Sequence, residues 1–281
     1  MERAMRQTQL PDGTSVPVLG QGTWMMGDEP GRRDAEIAAL REGIELGMTL
    51  LDTAEIYGNG RSEQLVAEAI DGRRDEIFLV SKVAPGNASR QGTIRACEAS
   101  LRRLGTDRLD LYLLHWRGSV PLAETVAALE TLKESGKILR WGVSNFDVDD
   151  MEELAAAGGA AVQTDQVLYN PSERGIEYDL LPMLTEQGVP VMAYSPIGQG
   201  GDLLEDAALT RIAERHHATP ARVALAFVLR QPGVIAIPKA SSVDHVRDNA
   251  AALELTLDAK DMAELNAAFP PPRGKQPLAI I

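Results

Sequence analysis

Short apolar runs alternate along this chain with longer stretches whose apolar positions return with a helical period. The runs are VPVLGQGTW (16–24), TLLDTA (49–54), IFLVSKV (77–83), LDLYLLH (109–115), LRWGVSN (139–145), VQTDQVLYN (162–170), VPVMAYSP (189–196) and GVIAIPKA (233–240). Between them lie amphipathic stretches such as RRDAEIAALREGIELG, TIRACEASLRRLG and AETVAALETLKESG. Gly47, Gly105, Gly136 and Gly188 stand where helices should stop, because glycine tolerates the left-handed conformation of a helix end. Run starts recur at roughly thirty residues over most of the chain, the length of one βα unit. Eight buried strands alternating with helices predict a parallel sheet closed into a (β/α)8 TIM barrel of class α/β.

A doubly wound open sheet is the runner-up, and it wants a glycine-rich dinucleotide turn after the first strand. GQGTWMMG places glycines at 20, 22 and 27, the wrong spacing. The rhythm breaks between Pro196 and Gly233, where a GQGGD loop precedes two helical patterns. Thr219-Pro220 reads there as an N-cap followed by proline at the first helical position. No linker or shift of composition divides the chain, so one domain over 1–281 is expected.

Composition narrows the function. A net charge of −13 opposes nucleic-acid or anionic-membrane partners, since phosphates would be repelled. The single cysteine, Cys97, excludes an intrachain disulfide and suits a reducing cytoplasm. MERAMRQTQLPDG has no apolar run, so no signal peptide is expected, and no run is long enough to span a bilayer. No His or Cys cluster has metal-ligand spacing, and there is no Gly-x-Ser-x-Gly elbow. His216-His217 falls on a predicted helix and reads as surface.

Chemistry in such a barrel collects at the C-terminal ends of the strands. Polar residues finish run after run: Asp52 with Tyr57 just beyond, Lys82, His115, Ser144 and Asn145, Gln166, Tyr194 and Ser195, and Lys239. A free phenol has a pKa near ~10. A lysine held beside it stabilises the phenolate and lowers that value, and a buried lysine in turn needs a carboxylate. Asp52, Lys82 and Tyr57 supply that chain of dependence, and His115 can orient a carbonyl oxygen beside the phenol. Such a site protonates an oxygen as a hydride reaches its carbon. Two rivals use the same residues. One is a Schiff base on Lys82, which needs an unpaired lysine with a lowered pKa. The other is a cofactor-bound sensor or regulatory subunit with little turnover, which has no need of all four residues.

These pieces carry a resemblance. GQGTW (20–24), LDTAEIYGN (51–59), SK (81–82), LLHW (113–116), GVSNF (142–146), QVLYNP (166–171), AYSPIGQG (193–200) and IPKASS (237–242) together resemble the aldo-keto reductase family over nearly the whole chain, on the side of the short bacterial reductases of small aldehydes. The resemblance implies NADPH-dependent reduction of small aldehydes, ketones or dicarbonyls such as methylglyoxal, by a cytoplasmic enzyme expected to be a monomer. It makes Tyr57 the general acid, with Asp52 and Lys82 tuning it and His115 orienting the substrate. It assigns Ser144, Asn145 and Gln166 to the nicotinamide carboxamide and Tyr194 to its ring. Ser195, Pro196, Ile197, Gly198, Gln199 and Gly200 would wrap the pyrophosphate. Lys239, Ala240 and Ser241 would meet the 2′-phosphate, with His245 and Asn249 nearby on the next helix. Gly22, Thr23, Trp24 and Asp52 would also border the cofactor. Trp24 and Trp116, with Met25 and Met26, are expected to line the substrate pocket.

Two departures qualify that picture. His245 stands where the family often has an arginine. The segment after Pro272 is brief, which predicts a thin substrate wall.

Overall fold

The computed structural model describes residues 5–281. The eight apolar runs become the eight strands of one parallel sheet: β1 (Gln21–Gly22), β2 (Leu50–Asp52), β3 (Phe78–Val83), β4 (Leu111–Leu114), β5 (Trp141–Ser144), β6 (Asp165–Leu168), β7 (Val191–Tyr194) and β8 (Val234–Ala236). Each pairs with its neighbour in sequence. The sheet then closes on itself, because Gly20 N donates to Ala236 O, Gly22 N to Pro238 O and Ala236 N to Val18 O. Closure of the (β/α)8 barrel needs a close approach at β1. A side chain at Gly22 would put its Cβ 2.8 Å from the Ile237 carbonyl oxygen, and one at Gly20 would meet Leu50. The glycines of GQG therefore serve strand packing rather than a dinucleotide turn.

The first run is the one that the structure divides. Ser15–Pro17 pairs antiparallel with Gln7–Gln9, a strand that the apolar pattern did not predict because QTQ is polar. This hairpin plugs the barrel. Its Leu10 and Val16 join Leu50, Val80, Leu111, Leu113, Met192 and Ile235 in a core inside the strands. Asp12 N donates to Gln163 Oε1 beside the start of β6, so the plug lies at the N-terminal end and leaves the opposite mouth open.

Helices α1 (Arg33–Glu45), α2 (Arg61–Ala69), α3 (Arg90–Leu104), α4 (Leu122–Glu134), α5 (Val148–Ala156) and α6 (Leu180–Glu186) follow β1 to β6. α7 (Ala207–Arg215) and α8 (Pro220–Leu229) follow β7, and α9 (Val243–Ala251) and α10 (Ala259–Ala268) follow β8. The apolar stripes of these helices meet the outer faces of the strands in a second, larger core. The strands are thus covered on both faces, which is why they read as continuous apolar runs. Gly47, Gly105, Gly136 and Gly188 all have positive φ at helix ends, and Thr219 caps α8 by accepting from Arg222 N ahead of Pro220. Cys97 is buried on α3, and burial pushes its thiol up to about 12, so it is unreactive at neutral pH. Among the described residues no helix is long and apolar enough to cross a membrane.

His216 corrects the sequence expectation. It lies just past the end of α7, half-buried, with Nε2 2.7 Å from Asp261 Oδ2 on α10. The partner is 45 residues away in sequence, out of reach of a local helical pattern. His217, at φ 51, is exposed.

Candidate active site

Asp52 ends β2, and Lys82 lies one strand over on β3. Lys82 is fully buried, and its three ammonium protons have three acceptors: Asp52 Oδ2 at 2.7 Å, the Thr53 carbonyl at 2.9 Å and Tyr57 Oη at 3.2 Å. The second carboxylate oxygen of Asp52 accepts from Gln166 Nε2 at 2.8 Å. Both buried charges are therefore paired and hydrogen-bonded, the condition under which burial of an ion pair is tolerated. The phenol reaches this spot through YGNG. Gly58, Asn59 and Gly60 all take positive φ, turning the chain from β2 into α2 while Tyr57 stays over Lys82.

The electrostatics revise one expectation. Burial raises the Tyr57 phenol above its ordinary value, and the Lys82 ammonium opposes that rise without reversing it. The phenol thus keeps its proton at neutral pH and is stocked as an acid. For Lys82, burial alone pushes downward, but Asp52 and Tyr57 outweigh it and the lysine ends above its ordinary value. A lysine held so firmly as a cation is a poor Schiff-base nucleophile.

His115 follows β4 and faces Tyr57 edge-on, ring centroids 5.7 Å apart, with Trp116 beside it at 4.8 Å. Burial, helped by the Lys82 charge, lowers His115 to about 2, so the imidazole is neutral. Among the described residues its buried Nδ1 has no hydrogen-bond partner, an arrangement that favours the tautomer with the proton on Nε2.

The next strand ends are bonded to one another. Ser144 Oγ donates to the Gln166 carbonyl at 2.8 Å, and Asn145 Nδ2 donates to the His115 carbonyl at 3.0 Å. Tyr194 Oη donates to Asn145 Oδ1 at 2.8 Å, and burial pushes that phenol up to about 12. Asn145 holds φ 58, a left-handed conformation that asparagine tolerates better than most residues.

All this opens into a cavity of about 1030 Å3 at the C-terminal mouth of the barrel. Tyr57, His115, Trp116, Trp24 and Met25 border one end, and Lys239, Ala240, Ser241, His245 and Asn249 border the same cavity further along. Gly22, Thr23, Asp52, Ser144, Asn145, Gln166 and Tyr194 line it as well, as do Ser195, Pro196, Ile197, Gln199 and Gly200. Lys82 sits behind the wall rather than in it, fully buried. Ser242, not Ser241, caps α9, by accepting from His245 N.

Two sequence expectations are corrected. Met26 is buried in the core and does not line the cavity, because Met25 takes φ 62 and turns the chain inward after it. Gly198 takes φ 60 in the turn between Ile197 and Gln199, both of which border the cavity, and a Cβ there would come within 2.8 Å of Leu203. The tail is a fuller wall than its length implied, since Ile280 and Ile281 return to the mouth. Arg32, Ile56, Leu204 and Asp248 also border the cavity. Ile56 stands beside Tyr57 and Asp248 beside Asn249, and Leu204 follows the Gly200 loop; Arg32, just before α1, had no such neighbour.

Comparison with known proteins follows the same lines. A sequence model of the Aldo/keto reductase family matches residues 18–269. The chain is similar to methylglyoxal reductase YeaE of Escherichia coli, at 53% identity over 98% of this chain and 99% of that protein. It is also similar to glyoxal reductase of Bacillus subtilis, at 35% identity over 95% of this chain and 94% of that one. Among solved structures, an aldo/keto reductase from Klebsiella pneumoniae in complex with NADP and acetate superposes with a TM-score of 0.96 at 48% identity, over 99% of this chain and 100% of the other.

Proposed function

The chain belongs to the aldo/keto reductase family, and from that premise we propose a function for each part of the cavity. The protein is an oxidoreductase that reduces aldehydes and ketones to alcohols with NADPH. Its substrates are small carbonyl compounds, with vicinal dicarbonyls such as methylglyoxal and glyoxal the class that its relatives are named for. It acts as a cytoplasmic monomer.

The residues fit the cofactor. Tyr194 offers a flat face and Ser144, Asn145 and Gln166 offer amide and hydroxyl groups for a carboxamide, while Lys239 offers a cation for a phosphate. NADPH, when bound, supplies hydride to the carbonyl carbon. The chain supplies the proton. Tyr57 gives its phenolic proton to the carbonyl oxygen as negative charge grows there. Lys82, 3.2 Å from that phenol, stabilises the phenolate left behind, and Asp52 keeps the lysine charged and aimed. His115 stays neutral and points the carbonyl oxygen at Tyr57 with an Nε2–H bond. General acid catalysis of this kind is worth roughly 10²–10⁴-fold. Trp24, Trp116, Ile56 and the returning Ile280 give the pocket apolar walls that suit a short, uncharged substrate.

The observation that carries this reading is the saturation of Lys82: its third proton goes to Tyr57 Oη, at a phenol that opens on the cavity. The test is a panel of small aldehydes, ketones and dicarbonyls assayed by loss of NADPH absorbance. Turnover of several members, fastest among the dicarbonyls, is expected. Tight NADPH binding without turnover of any of them would instead favour a cofactor-bound sensor on the same fold.

A further inference from the structure

Glu36, on the first turn of α1, is only 2% exposed and forms no ion pair among the described residues. Its Oε2 accepts from Gly27 N at 2.9 Å, in the loop that carries Trp24 and Met25. Its Oε1 lies 3.5 Å from Ser241 Oγ, and Ser241 borders the cavity beside Lys239. A carboxylate has acceptors only and a serine hydroxyl has one proton, so within this pair Ser241 is the donor and Glu36 the acceptor. Toward the cavity Ser241 then presents lone pairs.

The consequence depends on what sits at the 2′ position of the cofactor ribose. A phosphate also has acceptors only at neutral pH. To bond it, Ser241 must withdraw its proton from Glu36, stranding a buried carboxylate oxygen within reach of a dianion. A 2′-hydroxyl has a proton of its own. It can donate to Ser241 while Ser241 continues to serve Glu36. The pair as built therefore matches a hydroxyl better than a phosphate, and it works against Lys239.

We propose that Glu36 sets cofactor discrimination in this protein, holding the Ser241 proton away from the 2′-phosphate and narrowing the preference for NADPH over NADH. The proposal rests on the reading above, in which Lys239 and Ser241 face the 2′-phosphate. In Glu36→Gln the amide oxygen can keep the Gly27 N–H while the amide nitrogen donates to Ser241, which frees the serine proton for phosphate.

The test is the dissociation constant of each cofactor for the purified chain, read by quenching of the fluorescence of Trp24 and Trp116 at the cavity. Glu36→Gln is expected to tighten NADPH by about ten- to a hundredfold, the scale of one hydrogen bond to a charged group, and leave NADH within about twofold. Ser241→Ala should weaken NADPH by no more than about threefold in the parent, yet erase the whole gain in the Glu36→Gln background, a coupling that a double-mutant cycle isolates. An unchanged NADPH/NADH ratio in Glu36→Gln overturns the proposal. So does a loss beyond about threefold in parent Ser241→Ala, which decides the matter even where Glu36→Gln fails to fold. Lys239→Met separates the two levels. If it weakens NADPH alone while Glu36→Gln changes nothing, this proposal falls and the site reading stands. If it changes neither cofactor, the reading of this end of the cavity falls and the proposal falls with it.

Discussion

The two ends of the cavity are built on opposite plans. Around Tyr57 every proton of a buried ammonium has an acceptor, both oxygens of Asp52 are engaged, and the lysine is fully enclosed. Around Lys239 little is tied down. The half-buried lysine has no ion pair among the described residues, and the exposed His245 side chain makes no hydrogen bond to them. A preorganised, water-poor arrangement favours stabilisation of charge that appears during reaction. An open, lightly bonded one can adapt to what binds. The contrast implies that damage at the first end appears in the rate, and damage at the second in affinity and cofactor choice.

Tyr57→Phe is the hardest test of that division. Turnover should fall by roughly 10²–10⁴-fold, the share of a general acid, while the NADPH dissociation constant stays within about twofold. Single-turnover rates and a fluorescence titration measure the two separately, and a merely few-fold loss of rate would dissolve the contrast. Lys82→Met should cost turnover on a similar scale, because it removes the charge that stabilises the phenolate. It also leaves Asp52 buried without its cation, so urea unfolding should show a loss of roughly 3–5 kcal/mol. An active Lys82→Met protein of parental stability would show that the saturated network does not matter.

At the other end the effects should be smaller and of another kind. Lys239→Met is expected to weaken NADPH by roughly 1.5–3 kcal/mol, the worth of a hydrogen bond between charged groups, and to spare NADH. His245→Arg should tighten NADPH by roughly 1–2 kcal/mol, since guanidinium is always charged and can fork onto a phosphate. Equal effects on both cofactors, in either variant, would mean that these side chains do not face the 2′ position.

The same contrast governs what the sequence disclosed. Asp52, Lys82 and His115 were legible because a polar residue closing a buried apolar run is conspicuous, and because a parallel barrel sends every strand end to one mouth. Met25 and Met26 were not distinguishable, since a left-handed residue between strand and helix decides which of the two turns inward, and no apolar period records it. Glu36 reads as an ordinary polar position of an amphipathic helix, and its burial follows from packing at the foot of α1, where Gly27 and Ser241 arrive from two other elements. Ile280 and Ile281 reach the mouth through the return of the tail, a feature without local pattern. The net direction of the Tyr57 shift escapes the sequence for a related reason. A lysine partner can be read from strand ends, but the burial that outweighs it depends on the whole surrounding wall.

The central claim is that the proton comes from Tyr57, with Lys82 behind it and a neutral His115 beside it. The pH profile of single-turnover carbonyl reduction, with NADPH saturating, tests it most directly. The acid works while the phenol keeps its proton, and burial holds the phenol above its ordinary value. The rate should therefore stay level through neutral pH and fall only in the alkaline range, beyond ~10. His115, lowered to about 2, should add no inflection between pH 5 and 8. A rate that falls through the ordinary histidine range as pH rises would make imidazolium the acid and contradict the account.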